Sequence, residues 1–170
     1  MPLTIQQESL VAKAKLTVQF ITGALVVGVL FFALIVASLS LGKELRWDVD
    51  VLGIVGSMLG FGNVVAAVFL VPIFHAQQLK LLLPSASGVK ASDPKASDWD
   101  DGLVRTLLER NQSTTIIRFA LMEGAAFFNL IVFMVNQSLL PLIVTGAILL
   151  GMLAIFPRQS HFDRLFNDRT

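Results

Sequence analysis

The sequence contains no cysteine and no tyrosine, and only two of its 170 residues are histidine. The lack of cysteine excludes disulfides, thiolate metal ligands and cysteine nucleophiles together, and with two histidines we expect no metal site. No cofactor motif and no Ser/His/Asp arrangement is readable, so we also expect no catalytic residues and no cofactor. The net charge of +1 and the lack of a dense basic run predict no nucleic-acid partner.

Charge is also scarce. Charged residues make up 15% of the chain and hydrophobic residues 55%, whereas soluble domains average about 25% and about 45–50%. Thirteen phenylalanines and long runs of leucine, valine and isoleucine indicate surface that faces lipid. We therefore predict an all-α integral membrane protein, a four-helix bundle that forms one domain over residues 1–170 and has the lipid bilayer as its first partner.

Three long stretches with at most one charge are the candidate membrane spans. Residues 16–42 and 51–79 carry no formal charge, and each stretch is longer than the roughly 20 residues that cross a bilayer. Residues 119–157 carry only Glu123, and a polar turn sequence around Ser138 divides them into two spans. A cleaved signal peptide is the alternative for the first stretch, which is too long for one. The predicted spans are about 16–42, 51–75, 116–136 and 139–157.

Basic residues near the span ends indicate how the bundle is oriented. Two of them, Lys43 and Arg46, lie in the turn between spans one and two. The other eleven lie in or beside the N-terminal segment, the long loop and the tail: Lys13, Lys15, Lys80, Lys90, Lys95, Arg105, Arg110, Arg118, Arg158, Arg164 and Arg169. This asymmetry predicts that both termini are cytoplasmic (N-in/C-in). We expect the membrane to be a bacterial-type inner (plasma) membrane.

The loop between spans two and three, residues 76–113, is predicted to be cytoplasmic. Its middle is rich in proline, serine, alanine and lysine, which is typical of a flexible linker. Its last part is an amphipathic helix in which Asp101 and Arg105 are four residues apart, while Leu107 and Leu108 belong to the apolar face. That helix either lies on the membrane surface or extends span three into the cytoplasm, and we favour the extension.

Spans one and three resemble each other. With an offset of 96 residues, nine of the sixteen positions from 21 to 36 are identical, including Gly28 with Gly124 and the two phenylalanines that follow each glycine. Shared composition explains some identities, but it does not predict a glycine followed three residues later by Phe-Phe in both spans. We predict two like-oriented helical hairpins, an internal repeat related by a pseudo-twofold axis along the membrane normal.

One carboxylate, Glu123, lies inside the third span, where the first copy of the repeat has Val27. It follows Thr114 by nine residues, roughly 13 Å of helix, and so lies near the middle of a hydrocarbon core about 30 Å thick. A charged carboxylate at this depth costs at least about 2.5 kcal/mol, so Glu123 must be protonated or partnered. The candidate partners are Asn63, Asn129 and, from a neighbouring copy of the chain, Arg118.

The second span carries its small residues on one face. Gly53, Gly56, Gly60 and Ala67 are spaced so that they lie along one side of a helix, with Asn63 in the same row. A row of small residues lets two helix backbones approach closely inside a membrane. We predict that this face packs against another helix of the bundle.

The segment Thr114-Thr-Ile-Ile-Arg-Phe-Ala-Leu-Met-Glu-Gly-Ala-Ala-Phe-Phe resembles the carboxylate helix of the proteolipid ring (c) subunit of rotary ATP synthases, which reads A-L-x-E-G-x-A. In that family the glutamate carries the translocated ion, and a glycine-rich helix precedes it across a cytoplasmic loop. Spans two and three have this order, so the resemblance implies an ion-binding role for Glu123. The loop here is longer than the family's, the dense alternating glycines are absent, and spans one and four lie outside the resemblance.

Two functions are compatible with these patterns. The first is a non-enzymatic membrane protein that acts as a subunit or scaffold of a larger membrane assembly, in a homo-oligomer or with other membrane subunits. Glu123 would then be a hydrogen-bonded contact between helices. The alternative is a proton- or cation-translocating oligomer in which Glu123 exchanges the ion. An enzyme embedded in the membrane would need clustered polar residues at one membrane face, and the sequence has no such cluster.

Overall fold

The computed structural model describes residues 5–47, 51–74, 77 and 101–157, and every regular element within them is helical. The linker residues 78–100 and the tail after residue 157 lie outside the described residues. Within the described residues, four helices follow one another: α1 (Ile5–Leu39), α2 (Val51–Phe74), α3 (Asp101–Asn136) and α4 (Leu139–Ala154). Helix α2 contains one π-helical turn, Ala66–Leu70.

Three of these helices, α1, α2 and α3, are long and apolar enough to cross a membrane. Helix α4 is equally apolar but has 16 residues, about 24 Å of helix against a hydrocarbon core of about 30 Å. Large apolar side chains on the outside of the bundle are exposed, among them Phe20, Phe31 and Leu34. Apolar helices of this length with outward-facing leucine and phenylalanine indicate a membrane-embedded protein.

Helix α3 is the centre of the bundle, because α1, α2 and α4 each pack along it. Two contacts show the relative direction of α1 and α3: Ala14 bonds to Gln112 near the start of both helices, and Phe32 packs on Phe127 further along both. Helix α1 therefore runs parallel to α3. Helix α2 runs antiparallel to α3, because Gly56 lies against Val132 while Ala67 lies against Arg118. It also packs on α4. Within the described ranges, any contact between α1 and α2 is much smaller than the contact that either helix makes with α3.

The two short turns of the bundle are joined at one end. The Arg46 amide donates to the Gln137 carbonyl at 3.0 Å, and the Leu139 amide donates to the Arg46 carbonyl at 3.1 Å. Helix α1 ends just before Gly42, whose φ of 85° suits glycine, and Gln137 itself takes the less common φ of 56° between α3 and α4. The turn after α1 and the turn after α3 therefore lie at the same end of the molecule.

The opposite end is formed by extensions of α1 and α3 beyond the apolar core. Leu108 of α3 is buried against Leu10, Val11 and Ala14 of α1, and the Gln112 side-chain amide donates to the Ala14 carbonyl at 2.9 Å. Helix α3 is continuous from Asp101 to Asn136. The amphipathic segment before span three is thus the start of the same helix.

Small side chains fill the interior of the bundle on the α1 side. The buried residues of α1 within the apolar stretch are Val18, Thr22, Val26, Val29 and Val36, while its leucines and phenylalanines mostly face outward. Small residues inside and large residues outside are what close helix packing in lipid favours.

The two hairpins of the predicted repeat are packed differently. Helices α3 and α4 pack closely, whereas α1 packs on α3 rather than on α2. The matched glycines differ as well, because Gly28 lies against Glu123 while a Cβ on Gly124 would meet nothing within 4 Å. The repeat is therefore not visible as two equivalent hairpins.

Candidate functional site

The polar side chains of α3 lie on two different faces. Arg118 and Asn129 are eleven residues apart, which at 100° per residue leaves them about 20° apart around the helix. Glu123 is about 140° from Arg118. In the structure Arg118 and Asn129 face α2, and Glu123 faces α1. Within one copy of the chain, Arg118 and Asn129, two of the predicted partners of Glu123, thus lie at a different helix interface from Glu123.

Arg118 binds the backbone of α2. Its Nε–H donates to the Ala67 carbonyl at 2.9 Å, and Ala67 is fully buried in the π-helical turn. The carbonyl is free for the arginine because the Val71 amide donates to Ala66 instead. In the π register the next donor would be the amide of residue 72, which is a proline and has none. The guanidinium therefore replaces a hydrogen bond that Pro72 removes.

Asn129 is completely buried where α3 crosses Gly60 of α2. Its Nδ2 donates to the Ala125 carbonyl at 2.9 Å, and a Cβ built on Gly60 would lie 2.5 Å from this same nitrogen. Its Oδ1 is buried and has no hydrogen-bond partner among the described residues. Asn129 thus contributes packing against a glycine and leaves one acceptor unused.

The row of small residues on α2 is the face that α3 covers. Gly53, Gly56, Gly60 and Ala67 are buried. A Cβ on Gly56 would lie 3.1 Å from Val132, tighter than ordinary contact. The backbones of α2 and α3 approach closely because these positions carry so little side chain. Asn63 is half-buried beside the row.

Glu123 is half-buried where α3 meets α1. Its Oε1 lies 3.3 Å from the position that a Cβ on Gly28 would occupy, and Phe127 borders the same point. No hydrogen bond or ion pair joins Glu123 to Asn63, Arg118 or Asn129 within the described ranges. The carboxylate fits because Gly28 has no side chain.

Two features of these interfaces were not predicted from the sequence. The contact between Glu123 and Gly28 had a possible signal, since both belong to the repeated pattern and Gly28 is a small residue in a span. The sequence signal for the Ala67 carbonyl is clearer, because a proline inside a span leaves a backbone carbonyl without its usual amide donor. An arginine in the neighbouring span is a natural donor for such an acceptor.

The fold and its polar contacts define a membrane-embedded helical bundle built around α3, the central helix, which carries Arg118, Glu123 and Asn129. Comparison with protein-family models, with curated proteins and with solved structures found no match.

Proposed function

We propose that this chain is a non-enzymatic subunit or scaffold of a larger membrane assembly, either a homo-oligomer or a complex with other membrane proteins. The observation that carries the proposal is an uncovered stripe on α3, the helix that the other three pack against. The stripe runs along the face left open between α1 and α2: Ile117, Ala120, Gly124, Phe128, Ile131 and Val135.

The composition of the α3 stripe supports a protein neighbour. Ala120 and Gly124 are four residues apart, both are exposed, and a Cβ on Gly124 would meet nothing within 4 Å. A pair of small residues on the outside of a spanning helix allows another helix to approach its backbone. The larger residues of the stripe would pack beside that neighbour.

The stripe can be tested by enlarging its glycine. Gly124→Leu should shift the native complex, extracted in a mild detergent, toward the 18.5 kDa monomer, because the leucine blocks close approach. Gly62→Leu is the matched control, since Gly62 is also exposed with open space around it. Helix content measured by circular dichroism should be unchanged in both variants. A complex of unaltered size in Gly124→Leu would contradict the proposal.

The orientation and origin of the bundle are part of the same proposal. We propose that both termini are cytoplasmic, which the excess of basic residues away from the two short turns supports. We propose further that the membrane is a bacterial-type plasma membrane. We also propose that α1 and α3 arose by duplication. Contacting pairs such as Ala14–Gln112 and Phe32–Phe127 are 98 and 95 residues apart, close to the offset of 96 at which their sequences match.

A second candidate function, ion exchange at Glu123, is supported by a separate observation. The carboxylate has no hydrogen-bond donor among the described residues, so it does not form a hydrogen-bonded contact between these four helices. The local resemblance to the proteolipid ring subunit also centres on this glutamate. A proton or a cation carried from one copy to the next would then be bound at the α1–α3 interface of each copy.

The variant Glu123→Gln separates the two functions. It keeps the size and hydrogen-bonding capacity of the side chain but removes its charge. Proton or sodium flux in proteoliposomes should fall to the level of empty vesicles if Glu123 exchanges the ion, with the complex still assembled. Flux equal to wild type in an intact complex would eliminate ion exchange. Labelling of Glu123 at neutral pH by a carbodiimide that attacks protonated carboxyls is a simpler first measurement.

A further inference from the structure

The contact between α1 and α3 joins two different kinds of helix face. On α1 the face carries Gly28 and Phe32, and we call it the glycine face. On α3 it carries Glu123 and Phe127, and we call it the knob face. Glu123 lies against Gly28, and the rings of Phe32 and Phe127 meet edge to face with 5.1 Å between their centroids.

Helix α3 carries a second glycine face. At the offset of 96 residues, Gly28 and Phe32 of α1 correspond to Gly124 and Phe128 of α3, and both pairs are identical. Gly124 and Phe128 belong to the α3 stripe and are exposed. A Cβ on Gly124 would meet nothing within 4 Å. The described helices of the same chain therefore leave this glycine face uncovered.

Helix α1 carries a second knob face. At the same offset, Val27 and Phe31 are the α1 residues that correspond to the knob-face residues of α3. Val27 is 62% exposed and Phe31 is 65% exposed. Further large apolar side chains are exposed along the same side of α1, namely Leu16, Phe20 and Leu34. Each repeated helix thus has both kinds of face, and one face of each kind is used within the chain.

We infer that the uncovered glycine face of α3 in one copy of the chain binds the uncovered knob face of α1 in a second copy. Val27 then lies against Gly124, and Phe31 packs on Phe128, as the corresponding pairs do within one chain. Helices α1 and α3 are parallel within the chain, so the same contact between copies keeps both copies in one membrane orientation. This contact rests on the proposed oligomer and on the proposed duplication of α1 and α3.

A second copy is favoured as the occupant because it supplies the matching face. The contact is heterologous, since two different surfaces meet, and each copy offers its α1 to one neighbour and its α3 to another. It is also continuous with the α1–α3 interface that already exists in each copy. Packing of two α3 stripes on each other would place Gly124 against Gly124, a pairing that has no counterpart within the chain.

Chemical cross-linking tests the contact, because the chain has no native cysteine. Full-length copies of Phe31→Cys and Phe128→Cys that carry different tags are co-expressed and treated in membranes with a short bifunctional thiol reagent. We expect a cross-linked dimer of twice the 18.5 kDa chain that carries both tags. The matched control replaces Phe31→Cys by Phe61→Cys, at an exposed position of α2, and the mixed dimer should then be lost.

The cross-linking results separate this contact from the proposed function. Phe128→Cys copies that cross-link to one another, without the mixed dimer, would overturn the contact and leave a homo-oligomer joined stripe to stripe. A native complex in which neither combination cross-links would also overturn it and indicate other membrane subunits. A monomer under every mild extraction condition would contradict the proposed assembly itself.

A size exchange across the contact provides a second test. Gly124→Val should shift the native complex toward the monomer, because the added side chain blocks close approach. Adding Val27→Gly to the same chain should restore the complex, since the new valine of one copy enters the space freed on the next. Val55→Gly, at an exposed position of α2, is the matched control and should not restore it. Failure of Val27→Gly to restore the complex, with helix content unchanged, would overturn the contact.

Discussion

At the scale of single residues, two glycines of α2 occupy opposite surroundings. Gly60 is buried under Asn129, where a Cβ would lie 2.5 Å from the side-chain nitrogen, while Gly62 is exposed with nothing within 4 Å. Asn129 cannot move aside freely because it is fully buried and bonded to the Ala125 carbonyl. The close packing of α2 on α3 therefore requires a glycine at position 60 but not at position 62.

Gly60→Ala should lower the free energy of unfolding by about 1–3 kcal/mol, because the added methyl group overpacks the α2–α3 interface. Gly62→Ala should be neutral or stabilising by up to about 1 kcal/mol, because alanine favours the helix more than glycine does. Reversible unfolding in mixed micelles, followed by circular dichroism, measures both. If adding Asn129→Ala to Gly60→Ala recovers no stability, the clash with Asn129 is not the cause.

At the scale of the element, the π-helical turn of α2 depends on a proline and on a residue of another helix. Pro72 removes an amide, the Val71 amide donates to Ala66, and Ala67 accepts from Arg118 at 2.9 Å. Irregular helical backbone at membrane depth is tolerated only when such acceptors are satisfied. Arg118 is therefore a structural donor for α2.

Arg118→Lys should destabilise the protein by about 1 kcal/mol, because a lysine ammonium cannot reproduce the fixed Nε–H geometry. In a Pro72→Ala background the same change should cost less, since residue 72 then has its own amide for a backbone carbonyl of the preceding turn. The double-mutant cycle from the four unfolding free energies gives the coupling directly. Equal costs in the two backgrounds would show that Pro72 does not create the site for Arg118.

The sequence predicts where the helices lie along the chain better than it predicts which helix faces pack together. The apolar stretches place the helices, and the spacing of Gly53, Gly56, Gly60 and Ala67 indicates one face of α2, because both properties are local. Helix α1 is apolar on all sides, so its sequence does not mark which side packs inward. The contact of Glu123 with Gly28 depends on that choice, and for this reason the sequence alone does not predict it.

At the scale of the whole molecule, the position of α4 decides whether the chain crosses the membrane four times. Its 16 helical residues are fewer than a full span needs. Its ends nevertheless connect to both ends of the bundle. The turn before it bonds to Arg46, and the carbonyl of Pro157 after it accepts from the Gln19 side chain of α1 at 3.1 Å. We therefore predict that the last residues before Pro157 complete a fourth crossing outside the helix.

Because the chain has no native cysteine, single cysteines can report the side of each segment without background. We expect an impermeant maleimide to label Glu44→Cys on intact cells, since Glu44 is exposed in the turn after α1. Gln6→Cys, exposed at the start of α1, and Thr170→Cys should react only after permeabilisation. Labelling of Thr170→Cys together with Glu44→Cys would show that α4 returns to the side it started from, leaving three crossings, whereas labelling of Gln6→Cys on intact cells would reverse the orientation.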